Sequence, residues 1–195
     1  IFSSLAGTNC VYTELNDAIL LEKVAKLISE ENVIGWHSGK MEFGPRSLGA
    51  RSILGDPRSA KAQSEINLKI KYRESFRPFA PAVLKEDVSE WFELESSSDY
   101  MLMVANVRKD KLISPNEELE GLDKINDVRS LIPAVTHVDN SARIQTVDKN
   151  TNPRFYNLIN EFYKITGIPV LLNTSFNVKG QPMVNTPLEA IETFK

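Results

Sequence analysis

The sequence has little from which a disulfide framework or a metal site could be built. Its 195 residues include one cysteine, Cys10, and two histidines, His37 and His137. A single thiol cannot form an internal disulfide, which favours a protein of the reducing cytoplasm. A zinc cluster needs more ligands of these types, so we expect no metal site in this chain.

Several other signals are missing. No apolar run approaches the about 20 residues that cross a membrane, and the basic start of a signal peptide is absent. The phosphate loop G-x-x-x-x-G-K-[ST] and the dinucleotide fingerprint G-x-G-x-x-G do not occur. No G-x-S-x-G elbow surrounds Ser175, so no motif supports it as a nucleophile. If this protein binds a nucleotide, we therefore expect it to use positive charge and the planar, fork-shaped donor groups of arginine side chains.

The composition is that of an ordinary globular protein, with 42% hydrophobic and 25% charged residues. A chain of this length can bury about 70% of its unfolded surface, so we expect a single domain over residues 1–195. Residues 1–15 predict an extended lead-in, and the polar, acidic residues 108–130 predict a mobile insertion. Because the chain starts without Met and stops within an apparent helix, we expect it to be part of a longer polypeptide.

Hydrophobic periodicity predicts helices and strands that roughly alternate. The predicted helices cover residues 16–32, 59–70, 87–92, 153–166 and the segment from Pro187. The predicted strands cover residues 33–36, 79–84, 100–107, 142–147 and 168–172, with loops over residues 39–55 and 173–182. This order favours an α/β or α+β fold over an all-β fold.

The most unusual stretch is the basic block, residues 35–81, with nine Lys or Arg against four acids in a chain of net charge −3. Glycines and prolines punctuate it and fix its backbone in tight turns. The planar donors of arginine suit phosphate and carboxylate groups. A preformed anion pocket and plain surface charge combined with turns both explain this pattern.

Four sequence blocks resemble, in family order, the NodU/CmcH family of O-carbamoyltransferases. They are Met41–Gly49 with Arg51–Leu54 and Asp56–Arg58, then Phe76–Pro81, then Pro133–Asp139 with Ala142–Val147, and finally Pro169–Asn177. The resemblance spans about residues 33–195 and is to the C-terminal, YrdC-like half of these enzymes. It implies a twisted mixed sheet with helices packed on it. It also implies a Kae1-like N-terminal half, outside this sequence, that carries the iron or other metal site.

The same resemblance implies a domain that binds carbamoyl phosphate and ATP and forms carbamoyl adenylate. It assigns catalytic contacts to Lys71, Arg77, Arg143 and Ser175. It assigns cofactor-binding positions to Arg46, Arg51, Arg73, His137, Asn173 and Asn177. With no carboxylate cluster evident, Mg²⁺ is expected to arrive on ATP. The Kae1-like half would then pass the carbamoyl group to a hydroxyl of a small-molecule acceptor.

Several residues of these blocks also have a plain structural interpretation. Arg143 could pair with Asp139, Arg58 could stabilise the turn at Asp56, and Ser175 could bond within its loop. His137 is more often a structural histidine than a catalytic one. Against these alternatives, we expect Lys71, Arg77, Arg143 and Ser175 to converge on one cleft.

Two other functions compete with the carbamoyltransferase interpretation. One is a threonylcarbamoyl-adenylate synthase acting for tRNA, against which the carbamoyltransferase blocks argue. The other is a non-catalytic module that binds an RNA backbone through the basic block. The acidic net charge and the lack of a basic stripe studded with aromatic residues argue against RNA.

Overall fold

The computed structural model describes residues 10–114 and 127–195 and is organised around a five-stranded mixed sheet. Its strands are β1 (Ile34–His37), β2 (Arg51–Gly55), β3 (Ala80–Leu84), β6 (Gln145–Val147) and β7 (Val170–Ser175). Their spatial order is β1-β2-β7-β3-β6, and only the β3–β6 pair is parallel. Two short strands, β4 (Val104–Asn106) and β5 (Ser141–Arg143), form a separate antiparallel ribbon. The predicted mixed α/β architecture is confirmed.

Helices cover both faces of the sheet, and their ends carry recognisable caps. They are α1 (Asp17–Ser29), α2 (Ala62–Glu65), α3 (Val88–Trp91), α4 (Pro153–Thr166) and α5 (Pro187–Phe194). The Asn16 and Asn152 side chains cap the amino ends of α1 and α4. Gly167 ends α4 in a left-handed conformation, as the sequence predicted. A π-helical turn, Ile66–Ile70, directly extends α2.

The apolar core lies in two main layers, one on each face of the sheet. The layer under α1 and α4 includes Ile28, Phe155 and Leu171. The opposite layer includes Ile66 and Ile144, which are fully buried. This double burial explains why the central strands are apolar on both faces rather than alternating.

Three predictions about secondary structure were wrong. The predicted loop over residues 39–55 contains β2, all five residues of which are buried. The predicted buried strand over residues 100–107 is limited to β4, and Tyr100 and Leu102 are exposed before it. Residues 142–147 form not one strand but parts of two, because β5 and β6 pair in different sheets.

The predicted insertion is only partly described. Residues 115–126 of the insertion and residues 1–9 of the predicted lead-in lie outside the described residues. On the described flanks, Leu112 forms an isolated bridge with Ser130, and Ser130 is fully buried. The two flanks of the segment are therefore joined to each other.

Strand register brings four distant segments to one end of the sheet. Ser175 pairs with Ser52 of β2, and Asn173 pairs with Ala80, the first residue of β3. Because β3 and β6 run parallel, the start of β6 lies at this same end. The end of β7 and the residues just before β2, β3 and β6 therefore meet there, and these segments carry most of the candidate residues.

Candidate anion-binding site

A cationic hollow of about 320 Å³, here called the Lys71 pocket, opens at the end of β7. The residues that line it are Lys71, Tyr72, Arg73, Glu74, Arg77, Ser175, Asn177, Val178, Lys179 and Gly180. Four of these carry a positive charge and one carries a negative charge. The basic block thus contributes to a concave surface at one end of the sheet, where ligands of α/β proteins commonly bind.

Lys71 is the most deeply placed cation of this pocket, with 7% of its surface exposed. Its Nζ atom donates hydrogen bonds to Ser175 Oγ at 3.1 Å and to Asn177 Oδ1 at 2.7 Å. The backbone carbonyls of Ser175 and Asn177 also lie within hydrogen-bonding distance, so four oxygens share the three hydrogens of the ammonium. Among the described residues, no carboxylate forms an ion pair with it. Burial, aided by the nearby charge of Arg73, lowers the pKa of Lys71 to about 7.

Local backbone geometry directs Lys71 inward. The π-helical turn ends at Ile70, and Tyr72 has a left-handed backbone with φ of 46°, which is uncommon for a residue with a side chain. Asn67, fully buried, donates hydrogen bonds to the carbonyls of Ser75 and Arg77 at 2.9 and 2.8 Å. A buried amide thus fixes the loop that carries the pocket's cations.

The two arginines of the Lys71 pocket are held to different degrees. Arg73 Nε donates to Asn67 Oδ1 at 2.6 Å, and its guanidinium lies 5.1 Å from the ring centre of Phe79. Burial, with Arg77 second, lowers the pKa of Arg73. Arg77 is exposed and lies 3.9 Å from Glu74, a loose surface pair. Arg77 therefore remains available to an anion that enters the pocket.

A second group of basic residues consists of Arg46, Arg143 and His137. The Nε atom of Arg143 is buried and has no hydrogen-bond partner among the described residues. Burial lowers the pKa of Arg143, and the like charge of Arg46 lowers it further. His137 bonds Ser141 Oγ at 3.0 Å, and burial lowers its pKa as well. The alternative pairing of Arg143 with Asp139 is not observed in the described part of the chain, where Asp139 bonds Ser141 instead.

Two residues predicted as cofactor contacts, Arg51 and Asn173, form hydrogen bonds inside the protein. Arg51, 4% exposed, donates its guanidinium hydrogens to the carbonyls of Asn185, Ser38, Ala50 and Gly39. Asn173, 1% exposed, donates to Ser47 O and Gln145 Oε1 at 3.0 and 2.7 Å. Both residues bind neighbouring segments of the chain to the end of the sheet.

The structure thus brings some predicted residues together and separates others. Lys71, Arg73, Arg77, Ser175 and Asn177 share the Lys71 pocket, whereas Arg143 has Arg46 as its charged neighbour. Arg58 pairs with Asp56 at 2.6 Å, as its structural interpretation predicted.

Sequence reasoning missed three residues that shape the site. Lys179 lines the Lys71 pocket from the loop after β7, where a Lys-Gly pair in a polar turn was the available signal. Asn67 anchors the basic loop from inside a helix-like segment, where it gave no signal. Glu42 Oε1 accepts bonds from the backbone N–H groups of Leu48 and Ala50, both at 2.7 Å. Glu42 thereby ties down the loop that carries Arg46.

The described residues contain neither a cluster of metal ligands nor a membrane-spanning helix. No group of three or more His, Cys, Asp or Glu side chains among them could hold a metal ion. No helix among them is long and apolar enough to cross a membrane.

Comparison with known proteins assigns the family. The family model described as Carbamoyltransferase C-terminus matches residues 25–195. The chain is 46% identical over 175 residues to nodulation protein NolNO of Sinorhizobium fredii, covering 88% of this chain and 23% of that protein. It is 35% identical over 164 residues to a 3'-hydroxymethylcephem-O-carbamoyltransferase of Amycolatopsis lactamdurans, covering 84% and 28% respectively.

A protein of Synechocystis is 56% identical over 191 residues, which cover 96% of this chain and 31% of the relative. The chain therefore spans less than a third of the length of these relatives. The family model covers most of the chain, including the Lys71 pocket and the two neighbouring arginines Arg46 and Arg143. The chain belongs to the family of carbamoyltransferase C-terminal domains.

Proposed function

We propose that this domain binds carbamoyl phosphate and ATP and joins them into carbamoyl adenylate. The observation that carries the proposal is the Lys71 pocket, in which a buried ammonium has oxygen partners but no acidic one among the described residues. A buried cation without a carboxylate is costly, and a bound anion offsets that cost. Membership in a carbamoyltransferase family makes a carbamoyl donor the fitting anion.

The two groups of cations suit two anionic substrates that must meet. Lys71, Arg73 and Arg77 line one pocket, while Arg46 and Arg143 lie near each other before β2 and β6. All these segments meet at one end of the sheet. One group of cations can therefore hold one substrate while the other group holds the second substrate nearby. Arg51 and Asn173 act indirectly, by fixing the loops that carry the contacts.

The reaction needs positioned charge more than a covalent nucleophile. Carbamoyl phosphate and one water give carbamate and phosphate. A carbamate oxygen then bonds to the α-phosphorus of ATP while the bond to the β-phosphate breaks, releasing pyrophosphate. Negative charge spreads over the phosphoryl oxygens in this step, and fixed cations stabilise it. Mg²⁺ would be held chiefly by the ATP phosphates, in keeping with the ligands that this ion prefers.

The transfer step is proposed for the longer polypeptide. One relative is named for carbamoylation of a hydroxymethylcephem, and this chain spans 28% of it. We propose that the adenylate is handed to a hydroxyl of a small molecule at a site formed with a Kae1-like N-terminal half. Carbamoyl adenylate reacts with water, so a closed cleft would protect it.

The test is pyrophosphate release by the chain with ATP and Mg²⁺, with and without carbamoyl phosphate. We expect release to require carbamoyl phosphate and to fall about 100-fold or more in Arg77→Ala, as for the loss of one preorganised donor. Arg108→Ala is the matched control, because Arg108 is similarly exposed and also pairs with a nearby acid, Asp110, but lies outside the pocket. Release without carbamoyl phosphate, or full activity in Arg77→Ala, would contradict the proposal.

A further inference from the structure

The amine of Lys71 lies in an environment that makes a lysine reactive. Its Nζ atom is surrounded by four oxygens of Ser175 and Asn177, and the residue is 7% exposed where it lines the Lys71 pocket. Glu74, the one acid among the described residues that line this pocket, pairs with Arg77 instead. A lysine that is desolvated, or that lies beside another cation, becomes a nucleophile at neutral pH.

Burial and the nearby charge of Arg73 act in the same direction on this amine. Together they lower the pKa of Lys71 to about 7, so about half of its amines are uncharged at pH 7. For an ordinary lysine of pKa about 10.4, the uncharged fraction at pH 7 is about one in 2,500. The uncharged amine keeps two hydrogens for the surrounding oxygens and has a free electron pair with which to attack a carbon atom.

The same pocket attracts small anions. Arg73, Arg77 and Lys179 line it with Lys71, and their charges raise the local concentration of an anion such as carbamoyl phosphate or cyanate. Both of these anions carry an electrophilic carbon that reacts with uncharged amines, and carbamoyl phosphate releases cyanate as it decomposes in water. A carbamoyl donor drawn into the pocket therefore meets a nucleophilic amine there.

We propose that Lys71 is a carbamoylation site, at which the domain modifies itself with a carbamoyl donor that enters the Lys71 pocket. The Nζ atom attacks the carbamoyl carbon of carbamoyl phosphate, the bond from that carbon to the phosphate oxygen breaks, and the proton lost by the amine goes to the phosphate. With cyanic acid, the protonated form of cyanate, the amine adds to the carbon and its proton moves to the cyanate nitrogen. Either reaction leaves an uncharged urea group on the side chain.

This modification removes the most deeply placed cation of the pocket, so the domain loses anion affinity each time it occurs. The inference rests on the proposed function for the presence of carbamoyl phosphate in the pocket. Its reactivity with cyanate does not depend on the proposed function, which allows the two to be tested separately.

The test measures carbamoylation of individual lysines by peptide mass spectrometry after the chain is exposed to potassium cyanate at neutral pH. Lys179 is the internal control, because it lines the same pocket but is exposed. We expect Lys71 to react about tenfold faster than Lys179, since the lower basicity of its amine offsets part of the gain in uncharged amine. In guanidinium chloride the two lysines should react at equal rates, because unfolding removes the buried environment.

Lys71→Arg links the modification to anion binding. A guanidinium group stays charged, so it does not react as an uncharged amine does. We expect the unmodified chain to lose sulfate affinity in step with the carbamoylation of Lys71. Over the same exposure to cyanate, sulfate binding by Lys71→Arg should be retained.

A second experiment identifies the donor by supplying carbamoyl phosphate with and without an enzyme that destroys free cyanate. Modification of Lys71 that persists with the enzyme assigns the transfer to carbamoyl phosphate itself, and modification that the enzyme abolishes assigns it to cyanate. Equal rates for Lys71 and Lys179 in the folded chain, with both reagents, overturn the inference. That outcome leaves the proposed function standing, because pyrophosphate release tests it independently.

Discussion

The Nζ atom of Lys71 lies 3.1 Å from the hydroxyl oxygen of Ser175, across a separation of 104 residues in the chain. One residue follows a π-helical turn, and the other is the last residue of β7. The contact joins the basic block to the central sheet. It also leaves the ammonium with oxygen ligands but no acidic partner among the described residues, which makes its charge sensitive to pH.

Anion binding in the Lys71 pocket should weaken as pH rises through about 7, the lowered pKa of Lys71. Below that pKa the ammonium is charged and attracts the anion, and above it the unliganded site must first take up a proton. Sulfate is the probe, because its own charge is constant over this range. We expect its affinity, measured by calorimetry, to fall by up to about tenfold per pH unit above pH 7.

The matched control for this pH dependence is Lys71→Arg, which stays charged and should give a nearly flat profile. His137 does not produce the same slope, since burial lowers its pKa from 6.5 and its charge is lost at lower pH. A sulfate affinity that is constant across neutral pH in the unmodified chain would contradict the prediction.

Replacing Arg143 by leucine should stabilise the chain in the absence of anions. Its buried Nε has no partner in the described structure, and its charged neighbour is Arg46. Removing an unpaired charge should raise the free energy of unfolding by about 1 kcal/mol in low salt, measured by urea denaturation. Under the proposed function, the same change should weaken binding of the substrate that Arg46 and Arg143 are proposed to hold, a trade-off between stability and activity.

Arg154→Leu is the contrasting variant. The Nε atom of Arg154 is also buried without a partner, but its Nη2 atom lies 2.6 Å from Asp17 and its guanidinium lies 5.5 Å from the ring centre of Trp36. We expect this variant to lose stability. If Arg143→Leu loses as much stability as Arg154→Leu, then Arg143 has a structural role that the contacts do not reveal.

The sequence identified most of the basic residues at the site, but it did not predict how they are arranged in the fold. Arg77 and Ser175 could be singled out because motif blocks carry them, and Lys71 and Arg73 because they lie in the basic block, and the structure places all four in one pocket. Arg51 looked equivalent to Arg46, but its donors are used by backbone carbonyls that only the folded chain brings near. Residue type and spacing alone do not show whether the donors of an arginine are used by the backbone of the folded chain.

Strand assignment failed for a related reason. The residues of β2 follow a glycine-rich loop, and local turn signals outweighed the short apolar run. The strand is stabilised by pairing on both sides with β1 and β7, which are distant contacts. The opposite error occurred at Tyr100 and Leu102. Their apolar side chains predicted a buried strand, but both residues are exposed.

We expect Asn173→Ala to act mainly on the stability of the fold and to have little direct effect on anion affinity. Its amide bonds Ser47 O and Gln145 Oε1 inside the protein, and truncation leaves both acceptors buried and unpaired. We expect a loss of about 2–3 kcal/mol in the free energy of unfolding, measured by urea denaturation. Asn177→Ala, on the same segment but in the Lys71 pocket, should cost less stability and lower sulfate affinity. A larger loss of sulfate affinity in Asn173→Ala than in Asn177→Ala, with a smaller loss of stability, would contradict this prediction and favour Asn173 as a ligand contact.

Gly49→Ala should be among the most damaging single-methyl changes near the site. Gly49 has φ of +104°, and a Cβ added there would lie 2.2 Å from Cδ1 of Phe155, a fully buried ring. Both backbone strain and overpacking apply, so we expect a loss of about 3 kcal/mol or more in urea denaturation. Gly39→Ala is the control, because Gly39 also has a positive φ but no atom within 4 Å of an added Cβ, and it should lose only about 1 kcal/mol.

The double variant Gly49→Ala with Phe155→Leu should cost less stability than the sum of its single changes if the ring of Phe155 is the obstacle. Strict additivity of the two changes, or equal losses at Gly39 and Gly49, would rule out this close packing as the reason for glycine at position 49.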